Sequence, residues 1–190
     1  AIIGGFIGGA AYIMIRNSEW FLAMWRTVFP FMGEAHKANL PGIGRLAAIT
    51  APALLLAQAI GRLGDIINGE HFSKVTDLPW GVIYTNANSP GIFRPPTHPT
   101  VGYELIFDLV LLAAIWPLRD RLRPHGMFFA LYLATYSIGR FFLSFLREEF
   151  NEYFGGNLNE AQVVAIIVVI FTVPLLVWKA QIVRPAANRA

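Results

Sequence analysis

Long apolar runs separated by short charged segments constrain the fold of this chain most strongly. The run at residues 161–178 carries no charged side chain, and residues 46–60 form a second uncharged run. About 20 predominantly apolar residues are enough for a helix to cross a bilayer. The chain is 55% hydrophobic and 14% charged, which is too apolar for an ordinary soluble domain. We therefore predict an all-α fold, a polytopic transmembrane helix bundle.

The apolar runs divide the chain into predicted spans and one long extramembrane arm, all within a single transmembrane domain. The spans cover about residues 1–15, 46–64, 101–116, 127–146 and 161–178. The arm covers residues 65–100, where turn signals interrupt the apolar pattern and a short strand is expected only at 81–84. Residues 19–32 are aromatic and amphipathic, which is typical of an interfacial helix. The chain opens without an initiator methionine or a basic leader, so we interpret it as a fragment of a longer protein.

The distribution of basic residues predicts the orientation of the bundle. The loop at 118–126 and the C-terminal tail are both basic, and loops rich in Lys and Arg stay in the cytoplasm. The acidic segment at 147–160 and the arm then face outward. We therefore expect a multi-pass protein of the plasma membrane with a cytoplasmic C-terminus. Arg62 and Arg140 fall in the outer half of the bilayer in this arrangement.

These two arginines are the main candidates for function, because a guanidinium at membrane depth is costly unless it is partnered or lines a polar cavity. Each belongs to a polar stripe along one helix face. The stripes are Gln58, Arg62 and Asp65 on one helix, and Tyr136, Arg140, Ser144 and Arg147 on another. A polar cavity that holds an anionic headgroup would explain both stripes, since Arg binds phosphate as a bidentate fork. A structural hydrogen-bond network between helices explains them equally well.

The sequence before the third span supplies further polar candidates. Glu104 lies just inside the apolar zone and needs a cation, for which Arg62 and Arg140 are the obvious partners. His98 has a side chain suited to general base catalysis near neutral pH, although a histidine before a proline is more often a structural loop residue. The chain has no cysteine, and its four histidines are scattered without ligand spacing. We predict no metal site and no cofactor.

Several segments together resemble the prolipoprotein diacylglyceryl transferase family. The resembling segments are residues 61–70 with 75–81, residues 98–104, Tyr136 and Arg140 with residues 147–148, and the glycine-rich residues 1–9. They follow one another in the order of the family's motifs. The resemblance implies a helical membrane enzyme that moves the diacylglyceryl group of phosphatidylglycerol to the thiol of a lipobox cysteine in a secreted precursor. Glycerol phosphate is the leaving group.

The resemblance also implies roles for individual residues. Arg62 and Arg140 would bind the phosphate and stabilise its charge, Glu70 would order the site and Tyr136 would line it. A residue of the glycine-rich motif would be the base that ionises the thiol. The predicted substrate-binding residues are Asp65, Asn68, Gly69, His98, Tyr103, Glu104 and Arg147.

The chain departs from the family pattern at several polar positions. The family usually has Asn at Asp65, Gly at Ser73, Glu at Ser144 and Asp at Ala48. Asp65 can pair with Arg62 at i, i+3 and weaken a phosphate clamp. Two hypotheses follow: a diverged transferase, or a membrane protein without activity that serves as a structural or lipid-binding subunit of a larger complex. The expected partners are phosphatidylglycerol, a prolipoprotein signal peptide and subunits of a membrane complex, and nucleic acid is not among them. A transporter is disfavoured, because no repeat pair or broken-helix symmetry is visible.

Overall fold

The computed structural model is a helix bundle, and it describes residues 2–16, 18–32, 37, 40–69, 72–89, 91–92, 94–148, 152–153 and 158–183. Within those residues it contains six α-helices. They are α1 (Ile2–Arg16), α2 (Glu19–Val28), α3 (Ile43–Asn68), α4 (Thr100–Ile115), α5 (Met127–Ser144) and α6 (Glu160–Lys179).

Four helical segments among the described residues are long and apolar enough to cross a membrane. These segments are Ile43–Asn68, Thr100–Leu118, Met127–Ser144 and Glu160–Lys179. The predicted all-α polytopic membrane bundle is therefore confirmed. Helix α1 has 15 residues, which corresponds to about 22 Å at about 1.5 Å per residue. Its crossing of the bilayer stays a prediction, because the hydrocarbon core is about 30 Å thick.

Helix α3 extends beyond the predicted span of 46–64 at both ends. Its C-terminal cap is Gly69, whose φ of 64° is left-handed and whose N–H donates to the Asp65 carbonyl. Glycine adopts this conformation without the strain that a Cβ would bring. Asp65 and Asn68, which the sequence places at the start of the arm, therefore lie in the last two turns of α3. Hydropathy predicts a shorter helix than the structure contains, because the last turn of α3 includes the polar residues Asp65 and Asn68.

Helices α3, α4 and α5 share the hydrophobic core, and α6 packs against α5. The largest fully buried apolar side chains include Phe128, Leu55 and Val101. Helix α6 begins with a capping box, in which Asn159 accepts from the Gln162 N–H and Gln162 accepts from the Asn159 N–H. The three-helix core brings the polar stripes of α3 and α5 against the start of α4.

Short strands tie the loops together. Strand β1 (Leu122–Arg123) pairs antiparallel with β4 (Gln181–Ile182), and β2 (Glu152–Tyr153) pairs antiparallel with β3 (Leu158–Asn159). In the described part of the arm there are isolated bridges instead of the strand expected at 81–84. The bridges are Val75 with Thr97, Val82 with Thr97, and Tyr84 with Ile92.

The first segment of the arm lies between the end of α5 and the residues before α4. The Lys74 N–H donates to the Leu146 carbonyl at 3.0 Å, and the Glu148 N–H donates to the Phe72 carbonyl at 3.2 Å. On its other side, the His98 N–H donates to the Lys74 carbonyl at 3.0 Å. The backbone of the arm thus fixes residues 146–148, which include a candidate arginine of the site.

Candidate functional site

Three arginines converge on one buried carboxylate, Glu104, in the second turn of α4. Arg140 Nη1 lies 2.6 Å from Glu104 Oε1, and Arg147 Nη1 lies 2.9 Å from the same oxygen. Arg62 Nη2 forms a close ion pair with Oε2. Both of the partners predicted for Glu104 thus contact it, and Arg147 is a third. Glu104 is 2% exposed, and burying an ionised carboxylate to that degree is costly unless it is paired.

Three different parts of the chain position these guanidiniums. Arg62 extends from α3 and Arg140 from α5, and both side chains contact Glu104 on α4. Arg147 lies just after α5, where it forms a backbone bridge with Ser73 of the arm. Ser144, one turn after Arg140, donates its hydroxyl to the Arg140 carbonyl at 2.8 Å. The site therefore depends on the helix bundle for two arginines and on the arm for the third.

The charges of the cluster are close to balanced. Asp65 Oδ2 lies 2.8 Å from Arg62 Nη1, so this guanidinium joins two carboxylates. Three guanidiniums with Glu104 and Asp65 leave one net positive charge. The arginine side chains are 14–20% exposed, so they are partly accessible from outside the bundle. Low exposure to water also strengthens the attraction between an anion and a guanidinium.

Two tyrosines of α5 lie beside this cluster. The Tyr132 hydroxyl donates to Gln58 Oε1 at 3.1 Å, which links α5 to α3. The Tyr136 ring lies 5.8 Å from that of Tyr132, centroid to centroid. Tyr136 interacts electrostatically with Arg62 and Arg140. The sequence-predicted position of Tyr136 as a lining residue is consistent with this location.

Asp108 is a further residue of this region that the sequence reasoning missed. It lies one turn after Glu104 on α4 and is 1% exposed. Its Oδ1 is buried and has no hydrogen-bond partner among the described residues. Two carboxylates at i and i+4 in an otherwise apolar run were a usable signal, since both must lie on one helix face.

His98 and Tyr103 form a separate polar group at the start of α4. The Tyr103 hydroxyl accepts from Trp80 Nε1 at 2.7 Å. The His98 ring lies 6.3 Å from the Tyr103 ring, and its Nδ1 is buried without a hydrogen-bond partner among the described residues. In the described part of the chain, neither of these two predicted substrate-binding residues is hydrogen-bonded to Glu104.

Asn68 and Gly69 line a cavity of about 420 Å³ between the end of α3 and the arm. The Ser89 hydroxyl donates to the Gly69 carbonyl at 2.9 Å and holds the arm against the helix end. Tyr84 also lines this cavity, and burial raises the pKa of its phenol. These two predicted residues therefore lie beside this cavity rather than among the arginines. Glu70 lies outside the described residues.

Within the described ranges, no group of three or more His, Asp or Glu side chains is arranged to hold a metal ion. The ionisable side chains near Glu104 are arginines and carboxylates that pair with one another. Guanidiniums are suited to binding phosphate or carboxylate groups. The side chains that meet at Glu104 are therefore of the kind that is suited to binding an anion.

The chain matches a known protein family over most of its length. A family model described as prolipoprotein diacylglyceryl transferase matches residues 1–178. The chain belongs to the prolipoprotein diacylglyceryl transferase family. The resemblance seen in the sequence is thereby confirmed. In this member of the prolipoprotein diacylglyceryl transferase family, Arg62 and Arg140 both pair with the carboxylate of Glu104.

Relatives named phosphatidylglycerol–prolipoprotein diacylglyceryl transferase are similar to this chain. The protein of Nocardia farcinica is 40% identical over 187 residues, which cover 78% of this chain and 37% of that protein. The protein of Dehalococcoides mccartyi is 36% identical over 137 residues, which cover 72% and 52%. The protein of Corynebacterium diphtheriae is 32% identical over 193 residues, which cover 84% and 68%. The chain thus spans between about a third and two thirds of the length of these family members.

Proposed function

We propose that the full-length protein transfers the diacylglyceryl group of phosphatidylglycerol to the thiol of a lipobox cysteine in a prolipoprotein. The observation that carries this proposal is the convergence of Arg62 and Arg140 on Glu104 from two different helices. Two guanidiniums held about one carboxylate are positioned to hold one phosphate in its place. Membership of the prolipoprotein diacylglyceryl transferase family supports the same reaction.

In this reaction the cysteine sulfur attacks the glyceryl carbon that bears the phosphate ester. The new bond is carbon–sulfur, and the broken bond joins that carbon to the phosphate oxygen. Negative charge grows on the departing glycerol phosphate as the carbon–oxygen bond lengthens. Arg62 and Arg140 offset this charge in a site that largely excludes water, where fixed positive groups are most effective.

The other predicted site residues have supporting roles in this proposal. Tyr136 lies one turn before Arg140 on α5 and would line the site. Arg147, which lies beside the arm, adds a third positive charge. Asp65 partly neutralises the charge of Arg62. Glu70 would order the site, as the resemblance to the family implies. His98, Tyr103, Asn68 and Gly69 would contact the substrates from the arm side.

The proposed orientation places the arm outside the cell and the C-terminus in the cytoplasm of a bacterium. The loop between α4 and α5 carries Arg119, Arg121 and Arg123, which supports a cytoplasmic location by the positive-inside rule. Cysteines introduced at Asn88 and Asn188 test this orientation with a membrane-impermeant thiol reagent. We expect labelling at Asn88 alone in intact cells. Equal labelling of both positions would contradict the orientation.

The activity is tested with the purified full-length protein in vesicles of phosphatidylglycerol and with a synthetic lipobox peptide. We expect the peptide to gain the mass of one diacylglyceryl group. A peptide with serine for cysteine and vesicles of phosphatidylethanolamine are the substrate controls. Arg62→Gln and Arg140→Gln should each lower the rate by at least about 100-fold, a typical loss for one charge-stabilising donor.

Arg119→Gln is the matched control variant, since Arg119 is 45% exposed and pairs with its neighbour Asp120. Its transfer rate should equal that of the parent. A folded parent protein that gives no mass change on the cysteine peptide would refute the proposed activity. Such a result would leave a structural or lipid-binding role for the bundle.

A further inference from the structure

We propose that the end of the bundle opposite Glu104 binds the headgroups of anionic phospholipids. This surface carries four basic side chains, Arg119, Arg121 and Arg123 between α4 and α5 and Lys179 at the end of α6, and we call it the basic end. The inference does not depend on the proposed transferase activity. It assigns a lipid site to a part of the chain that the proposed reaction does not use.

A two-stranded ribbon brings the two parts of the basic end together. Strand β1 directly follows Arg121, and it pairs with β4, which begins two residues after Lys179. Arg123 of β1 lies opposite Gln181 of β4, and the Val183 N–H donates to the Arg121 carbonyl at 2.8 Å. Positive charges from two segments that are far apart in the chain therefore share one surface.

The basic end lies where two apolar helical segments finish. The segment Thr100–Leu118 ends directly before Arg119, and α6 ends at Lys179. Charges that directly follow a membrane span lie at the level of the lipid headgroups. The basic end is also separate from the arginine cluster, because Glu104 and Trp116 are about 18 Å apart along the helix axis at about 1.5 Å per residue.

Two tryptophans at the same level support contact with lipid. Trp116 and Trp178 are 46% and 82% exposed, and each lies beneath a cation. The Arg119 guanidinium carbon is 4.2 Å from the Trp116 ring centroid, and Lys179 Nζ is 5.2 Å from the Trp178 ring centroid. Tryptophan is enriched at membrane interfaces because its ring is apolar and its N–H is polar. A cation over an interfacial ring is thereby placed at the depth of a lipid phosphate.

The charge of the basic end is complementary to an anionic lipid. The segments at 116–126 and 178–183 contain four Lys or Arg residues and one acidic residue, Asp120, which pairs with Arg119 at 2.9 Å. Each Lys or Arg near a bilayer attracts anionic lipid, and the attraction increases with the number of such residues. Trp178 and Ile182, which is 73% exposed, add apolar surface beside these charges. They favour a lipid over an acidic peptide, because only the lipid brings acyl chains to cover them.

The test measures lipid preference in the full-length protein, in which every tryptophan except Trp116 and Trp178 is changed to Phe. The protein is reconstituted in vesicles of phosphatidylserine and phosphatidylcholine in equal parts, and one of the two lipids carries bromine on its acyl chains. Bromine quenches tryptophan fluorescence on contact, so the two quenching curves give a relative binding constant. Phosphatidylserine is anionic but is not the donor in the proposed reaction. It should bind at least about fivefold more tightly, the effect of one Lys or Arg near the surface.

Variants of the basic end decide whether charge causes this preference. The triple variant Arg121→Gln, Arg123→Gln and Lys179→Gln should bind the two lipids equally. The triple variant Arg121→Lys, Arg123→Lys and Lys179→Arg is the matched control and should keep the preference, because it keeps the charges. Lys74→Gln removes an exposed charge of the arm and should match the parent. Raising the salt from about 0.1 M to about 1 M shortens the Debye length from about 10 Å to about 3 Å, so it should weaken the preference of the parent.

Equal quenching by the two brominated lipids in the parent overturns the inference. A preference that survives in the glutamine variant, or that is unchanged at about 1 M salt, also overturns it. If the glutamine variant does not fold, the charge-retaining variant and the salt dependence of the parent decide the question. A fluorescent hexaglutamate peptide tests the other partner class: its binding to the parent, without any preference for phosphatidylserine, would assign the basic end to an acidic protein. A protein without transferase activity can still show the lipid preference, so the two proposals fail separately.

Discussion

Replacement of Glu104 by glutamine tests the arrangement of charges around α4 most directly. The glutamine has the same shape but removes the carboxylate that contacts Arg62, Arg140 and Arg147. Breaking a buried ion pair by neutralising one partner costs about 3–5 kcal/mol, because buried charge is left uncompensated. Glu104 is 2% exposed, so solvent provides little relief. At about 2–4 °C per kcal/mol for a protein of 150–250 residues, Tm should fall on the order of 10 °C.

Glu148→Gln is the matched control for this variant. It also removes a carboxylate that pairs with an arginine, Arg94, but the Glu148 side chain is 38% exposed. An exposed pair contributes about 0.2–1 kcal/mol, so Tm should change by a few degrees at most. Both melting curves are measured in the same detergent by the loss of tryptophan fluorescence.

Inorganic phosphate adds a second measurement to the same pair of proteins. An anion that binds the folded state stabilises it in proportion to the logarithm of its concentration over Kd. Glu104→Gln has lost the carboxylate that occupies the guanidiniums, so phosphate should raise its Tm more than that of the parent. If Glu104→Gln melts at the temperature of Glu148→Gln, and phosphate has the same effect on both, the reasoning about this cluster is refuted.

Three other variants test neighbouring features. Asp65→Asn should retain or raise the transferase rate, because it removes a carboxylate 2.8 Å from the Arg62 guanidinium, and a loss of activity with an unchanged Tm would contradict this. Gly139→Ala should destabilise by about 1–3 kcal/mol, because its Cβ would lie 2.0 Å from Phe107 Cζ, and an unchanged Tm would show that the ring moves freely. Burial raises the pKa of Tyr84, so stability is full below the ordinary tyrosine value of about 10 and falls as pH rises above it. Tyr84→Phe should flatten that fall in alkaline unfolding curves, and identical curves would exclude the effect.

The membrane bundle could be predicted from the sequence because bilayer spans have a strong apolar signal. The charge argument was equally effective for Glu104, since a carboxylate in an apolar run must find a cation. It correctly gave Arg62 and Arg140 as partners. The same argument applies to Asp108, a second carboxylate within the predicted span at 101–116.

The arm and the ends of the helices were less accessible to sequence reasoning. The bridge between Ser73 and Arg147 joins residues far apart in the chain, and no local pattern encodes such a pairing. Helix α3 continues to Asn68 because Gly69 caps it, whereas hydropathy reports only where the apolar side chains stop. The group formed by His98, Tyr103 and Trp80 depends on the path of the arm for the same reason.

Glu104 has a consequence for affinity in the proposed reaction. It is an anion permanently tethered to the arginines of the proposed phosphate site, and a tethered group competes at a high effective concentration. The measured binding free energy of an anionic ligand is therefore its interaction with the arginines minus the cost of displacing Glu104 from them. Such competition lowers the affinity for substrate and product alike. For the lipid this matters little, because the bilayer itself supplies it at high density, whereas for water-soluble glycerol phosphate it speeds release and frees the enzyme for the next turnover.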